Sequence, residues 1–331
     1  MINRREFIWL LGGGALSWTS ALRAQQSGQV RRVGMLLGVS ATPYTTGVVD
    51  KFRAELKALG WIEDSNLKIA FRWSDNDTAK AQIFAKELVA MQPDLLIGHT
   101  DSSVAALRQE TTTIPIVFIT VSDPIGLGFV TSISHPGGNA TGFINFEPSF
   151  GGKWLEILKE TAPDVKRVAV IYNPATAPRA GLTYLPAVQA AAERYQIKVV
   201  SAHVRSESDI EAVLSDLGRE PGGGLVVVPD NFITGRTPLM VSLLARYRLP
   251  AVHPYPYFPA GGGLMCYGVD PLDNFRKLPT YVDRVLRGER PQNLPVQLPT
   301  TFRSIINVKT AKALGLTVPP TVLVRADEVI E

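Results

Sequence analysis

Short apolar runs recur along the chain, and each is followed by a stretch whose apolar positions fall every three or four residues. The first series is Arg32-Val-Gly-Met-Leu-Leu, Leu67-Lys-Ile-Ala-Phe, Asp94-Leu-Leu-Ile and Ile114-Pro-Ile-Val-Phe. The same order returns roughly 130 residues later as Arg167-Val-Ala-Val-Ile-Tyr, Ile197-Lys-Val-Val, Gly224-Leu-Val-Val-Val and Leu249-Pro-Ala-Val-His. Runs that are apolar on both faces, separated by helical periods, predict parallel strands covered by helices on two sides. Stating the unit twice predicts two similar Rossmann-like α/β lobes with a cleft between them. In such sheets ligands gather at the carboxyl ends of the strands.

The intervening stretches read as helices. Val48, Phe52, Leu56 and Leu59 share one face, and Ala81, Phe84, Leu88 and Met91 share another after the cap-type Asp75-Asn-Asp-Thr78. In the second half, Leu185, Val188, Ala192 and Tyr195 align, and Ser208-Asp-Ile-Glu211 reads as a capping box. Residues 272–287 form a further helix, with a kink expected at Pro279. The Gly/Ser/Pro/Asn-dense stretch 126–142 and the glycine-rich 261–268 are read as crossings between lobes, where glycine lets the backbone bend. A short strand is expected at 304–308.

At 331 residues the chain has room for two full cores, and 45% hydrophobic residues suit a globular protein. The net charge of +4 owes half its value to residues 1–24, where Arg4, Arg5 and Arg23 face only Glu6. The remainder carries no basic stripe for a phosphate backbone, so no nucleic-acid partner is expected. Residues 1–24 read as a signal peptide: Arg4-Arg5-Glu6-Phe7, an apolar run from Ile8 to Trp18, and small residues for cleavage near Ala24. The paired arginines fit a twin-arginine signal, and a general secretory signal also tolerates them. An apolar run this short cannot span a bilayer, which needs about 20 residues. The expectation is therefore a periplasmic protein. Cys266 is the only cysteine, so no intramolecular disulfide can form.

No nucleophile elbow, zinc-protease pair or phosphate loop is present, and the glycine triplets at 222–224 and 261–263 precede strands, the wrong side for a dinucleotide fingerprint. His99, His135, His203 and His253 are scattered singly, so neither a metal nor a cofactor is expected. Attention falls on what ends each strand: Gly98-His-Thr-Asp101, Ser122-Asp123-Pro124, Asn173-Pro174, Pro229-Asp230-Asn231 and His253-Pro254-Tyr255. Acids converging on one cleft favour a ligand with an ammonium group, although each could equally cap a helix or turn. Helix amino termini after Thr100 and Asn173 would offer N–H groups to a carboxylate. Tyr44, Tyr255, Tyr257 and Phe258 could stack on an aromatic group or pack as core.

Several segments carry a family likeness. Asp123-Pro-Ile-Gly-Leu-Gly-Phe-Val130, Pro136-Gly-Gly-Asn-Ala-Thr-Gly142, Leu59-Gly-Trp-Ile-Glu63, Gly263-Leu-Met-Cys-Tyr-Gly268 and Ile306-Asn-Val-Lys-Thr-Ala-Lys-Ala-Leu-Gly-Leu316 resemble the ABC-transporter substrate-binding proteins of the tryptophan/tyrosine-binding type. The chain departs from that pattern at His135, Cys266 and Pro279. The resemblance implies a type I periplasmic-binding-protein fold, two hinged lobes that close on a small solute and deliver it to an inner-membrane ABC permease. The lobes are assigned as 30–143 plus about 268–290, and 144–264 plus about 291–331.

The reading that follows is a monomeric solute receptor without catalytic residues, binding an amino acid, possibly aromatic. Ser40, Thr100, Asp101 and Asp123 are its candidate ligand contacts from the first lobe, and Asn173, Asp230 and Tyr255 from the second. Asp123 or Asp230 would meet the ammonium, and the Thr100–Ser102 turn the carboxylate. A sensor docking on a membrane receptor, or an α/β enzyme on the same frame, are the alternatives.

Overall fold

The computed structural model describes residues 30–331; the signal-peptide reading of residues 1–24 lies outside them. Five parallel strands build the first sheet: β1 (Arg31–Leu37), β2 (Leu67–Trp73), β3 (Leu95–His99), β4 (Ile116–Val121) and β5 (Ala140–Ile144), in the order β2-β1-β3-β4-β5. One face is covered by α1 (Pro43–Ala58) and by the late helix α11 (Pro271–Leu286), with Phe52, Leu56, Ile97, Phe143 and Val282 in one core. The opposite face carries α2 (Thr78–Ala90) and α3 (Asp101–Glu110), which bury Leu88, Val104 and Leu107 against Leu96 and Phe118. β3 is buried along its whole length, as expected of a strand between two helical layers.

The second sheet has seven strands in the order β12-β11-β10-β9-β8-β6-β7. These are β6 (Arg167–Tyr172), β7 (Lys198–His203), β8 (Gly223–Val227), β9 (Ala251–His253), β10 (Met265–Val269), β11 (Phe302–Asn307) and β12 (Glu328–Ile330). All neighbours run parallel except β10 and β11. The helices α4 (Phe150–Thr161) and α6 (Leu185–Tyr195) pack one face around the fully buried Trp154, whose indole N–H donates to the Tyr267 carbonyl at 2.7 Å. On the other face lie α7 (Glu207–Leu217) and α9 (Thr237–Arg246). Between these stand the single turns α5 (Ala180–Thr183), α8 (Asn231–Thr234) and α10 (Tyr257–Ala260), while α12 (Val308–Ala313) and α13 (Pro320–Arg325) complete the tail.

The doubled α/β architecture is thus present, and the crossings differ from expectation. Residues 126–142 stay within the first lobe, because β5 adds to the sheet edge beside β4. The glycines before β10 form a turn, and β10 pairs with β9 in the second sheet, so residues 268–269 belong there. Residues 291–297 remain with the first lobe: Leu294 and Val296 are buried in its cores, and Gln297 exchanges backbone hydrogen bonds with Gly142 and Ile144. The chain therefore crosses after β5, at Asp270, and between Gln297 and Phe302. One smaller reading also shifts: the capping box of α7 is Ser206 with Asp209. The helix read at 272–287 is α11, with Pro279 inside it. Among the described residues no helix is long and apolar enough to cross a membrane.

Candidate functional site

The carboxyl ends of both sheets meet around a small polar cavity. Asp101, Thr120, Ser122 and Asn145 line it from the first lobe and the crossing beside it; Thr176, Pro229, Asp230, Asn231 and Tyr255 line it from the second. Its free volume is about 10 Å³, room for about one water molecule, so the lobes stand closed on each other. Only one aromatic ring, Tyr255, reaches the lining; hydroxyl, amide and carboxyl groups supply most of the rest.

Local backbone explains how these groups converge. Thr100, the residue before α3, has φ 86° and ψ 158°, a region ordinarily reserved for glycine, and it turns the chain so that Asp101 opens the helix. Thr120 has φ 59° where the pairing of β4 with β5 slips between Phe118 and Val121, an irregularity that aims a strand residue into the cavity. Both strained residues adjoin the cavity wall, where such conformations are held by surrounding structure.

The three acids play different parts. Asp101 is buried and accepts one well-aligned hydrogen bond, from the Ser122 N–H to Oδ1 at 2.8 Å. Burial, with Asp123 and Asp230 adding negative charge nearby, pushes its pKa up to about 7 against the hydrogen bonds from Ser122. Asp230 is also buried, and burial raises its pKa too, but its carboxylate is already committed. It accepts from the Asn173 N–H, from Thr176 Oγ1 at 2.6 Å and from the Phe232 N–H at 2.8 Å, tying the turn after β6 to the start of α8. Asp123 lies outside the lining and pairs across the cleft with Arg179 Nε at 2.7 Å, while Gly126 N–H donates to its other oxygen at 2.8 Å. Of the three, Asp101 alone keeps the capacity to meet a cation.

Among the donors, Tyr255 is placed to act. Its hydroxyl accepts from Asn145 Nδ2 at 3.2 Å, so its own proton is left to point into the cavity. Burial raises its pKa beyond the ordinary tyrosine range, so it stays protonated at neutral pH. The Tyr255 and Tyr257 rings stack at 5.4 Å and 25°, and His253 stacks on Phe258. His253 and His99 are buried, which lowers their pKa to about 3 and about 4, and neither reaches the lining.

A family model for ABC transporter substrate binding proteins matches residues 40–330. The chain belongs to that family. It is 28% identical over 265 residues to a tyrosine-binding protein of Clostridioides difficile (strain R20291), covering 80% of this chain and 75% of the relative. Among solved structures, an ABC domain in complex with L-Trp from Streptococcus pneumonia superposes with a TM-score of 0.82 at 28% identity, over 91% of this chain and 99% of that one. A conserved domain protein from Vibrio cholerae matches with the same TM-score at 27% identity, over 91% of this chain and all of the other. The fold is that of the type I periplasmic binding proteins.

Within this family member, Asp101, Asp230 and Tyr255 of the sequence-derived candidates line the cavity. Ser40 sits in the turn before α1, where its carbonyl accepts from Thr45 Oγ1. Thr100 is wholly buried beneath the wall with its hydroxyl beside those of Ser102 and Ser103, and Asn173 lies behind Asp230. No long helix follows Asn173; a turn runs to Ala177 instead. Thr120, Asn145 and Thr176 were not foreseen. Ser122 and Asn231 stood among the strand-end residues without being chosen as contacts, although each adjoins one that was, Asp123 and Asp230. Nothing in the sequence marks Thr120 or Asn145.

Proposed function

We propose that the chain is an exported receptor that captures an amino acid, aromatic ones included, between its lobes and hands it to the permease of an ABC importer. The observation that carries the reading is Asp101, a buried carboxylate with unused acceptor capacity in a cavity shared by both lobes. A substrate ammonium there would favour the ionised form that burial disfavours. The hydroxyls and amides opposite, with the free Tyr255 proton among them, suit a carboxylate. Tyr44, Tyr255 and Tyr257 are candidates for stacking on an aromatic side chain. The tyrosine-binding and L-Trp-bound relatives support the same class of solute. Residues 4–24 support export, and the reading assigns no catalytic step.

Because the closed cavity holds about one water, the solute must enter with the lobes apart and then favour closure by touching both. The test is a titration of the purified protein with L-tryptophan, L-tyrosine and the other standard amino acids, with a sugar and a polyol series alongside. An amino acid at 100 times its dissociation constant should stabilise the fold by about 2.7 kcal/mol. Stabilisation by sugars or polyols alone would reject the amino-acid assignment while keeping the receptor.

A further inference from the structure

β4 contains one residue more than its neighbour can pair. Between Phe118 and Val121 it advances three positions, while β5 advances two, from Gly142 to Ile144. The packing agrees. Ile116 and Phe118 enter one core and Val117 and Ile119 the other, but Val121 returns to the core of Phe118 one position late. Thr120 is the inserted residue, with φ 59°. Bulges with a left-handed position ordinarily place glycine there, and a β-branched side chain in that conformation is strained. Thr120 is also the one residue of β4 that is only half-buried, and it lines the cavity.

The bulge is fixed at both ends to the turn that carries Asp101. The Ile119 carbonyl accepts from the Thr100 N–H at 3.0 Å, and the Ser122 N–H donates to Asp101 Oδ1 at 2.8 Å. Thr120 therefore stands beside the Asp101 turn, on the cavity side. We propose that Thr120 is a solute-binding residue: its hydroxyl accepts a hydrogen bond from the ammonium that Asp101 meets, and the strained bulge is what brings it there. The proposal rests on the reading of an ammonium-bearing solute. An ammonium brings three N–H donors, and a single carboxylate leaves at least one of them to another acceptor. The second-lobe hydroxyls are engaged elsewhere, since Thr176 donates to Asp230 and Tyr255 accepts from Asn145. A glycine would hold the bulge more easily but would bring no oxygen to the cavity.

The experiment is calorimetric titration and thermal unfolding of wild type, Thr120→Val, Thr120→Ser and Thr120→Gly, with the standard L-amino acids as probes. Valine keeps the branched shape and loses only the hydroxyl, so affinity for the amino acid that binds wild type should fall about tenfold. Serine keeps the oxygen and should bind within about twofold of wild type. Glycine suits φ 59°, so unliganded Thr120→Gly should unfold at no lower a temperature than wild type while binding as weakly as Thr120→Val. That variant also keeps the test open should Thr120→Val fold poorly. Wild-type affinity in Thr120→Val or Thr120→Gly, or no recovery in Thr120→Ser, would overturn the proposal alone. A lower unfolding temperature for Thr120→Gly would overturn the strain assigned to the bulge. Binding of no amino acid by wild type would overturn both the proposal and the function on which it rests.

Discussion

At Asp101 a single carboxylate faces two opposing demands. Burial favours its neutral form and brings its pKa to about 7, whereas a bound ammonium needs it ionised. The sign of the resulting pH dependence follows. In the unfolded chain the group ionises near its ordinary value of 3.8, so folding in the absence of solute becomes less favourable as pH rises from about 4 to about 7. Above 7 that cost is constant. Amino-acid affinity runs the other way: nearly flat above pH 7 and falling toward tenfold per unit below it, measured by titration across pH 5 to 9. Asp123 and Asp230, the neighbouring acids, share the field at Asp101. Asp101→Asn should weaken binding about 10- to 100-fold, as loss of a charged hydrogen bond does, and should flatten the pH profile. A profile unchanged in Asp101→Asn would place the titrating group elsewhere.

The element that brings lobe and cavity together is β5. Its Gly142 pairs with Phe118 at the point where the β4 register slips, and a β-carbon on Gly142 would overlap the Phe118 carbonyl. Gly142→Ala should therefore destabilise the first lobe by about 1–3 kcal/mol, seen as a lower urea midpoint with an unchanged slope. A midpoint equal to wild type would show that the strand edge has room to move. The strands themselves were legible in the sequence: β2 starts at Leu67 as its apolar run does, and β4 takes in the Ile116-Val-Phe of its run, buried on both faces and so leaving an uninterrupted signal. The route between lobes was not. Val39-to-Pro43 and 126–142 look alike in composition to a crossing, and what separates them is pairing with distant strands such as β5 with β4. Asn145 failed to stand out for the same reason. It follows a short apolar run, and its meeting with Tyr255 spans 110 residues of chain. Asp123 read as a ligand group because its partner, Arg179, comes from the other lobe.

Over the whole molecule, closure is held by polar contacts that cross the cleft: Arg179 with Asp123 toward one side, Thr183 Oγ1 to the same carboxylate at 3.4 Å, and Asn145 with Tyr255 beside the chain crossings. The Arg179 and Asp123 side chains keep 33% and 21% of their exposure, so water screens the pair and its worth is that of a surface bridge, up to about 1 kcal/mol. That is enough to change an open-to-closed ratio about fivefold, and none of these atoms needs to touch the solute. Arg179→Met should accordingly shorten the lifetime of the bound complex two- to fivefold in stopped-flow release, leaving the ranking of amino acids unchanged. Gly126 offers an independent route to the same contact. A β-carbon there would overlap both the Asp123 carboxylate and the Arg179 guanidinium, so Gly126→Ala should disturb the pair without removing a charge. Small-angle scattering of both unliganded variants should show a larger mean radius than wild type. If release quickens in Arg179→Met but not in Gly126→Ala, the arginine acts through its charge in the cleft and the bridge itself contributes nothing to closure.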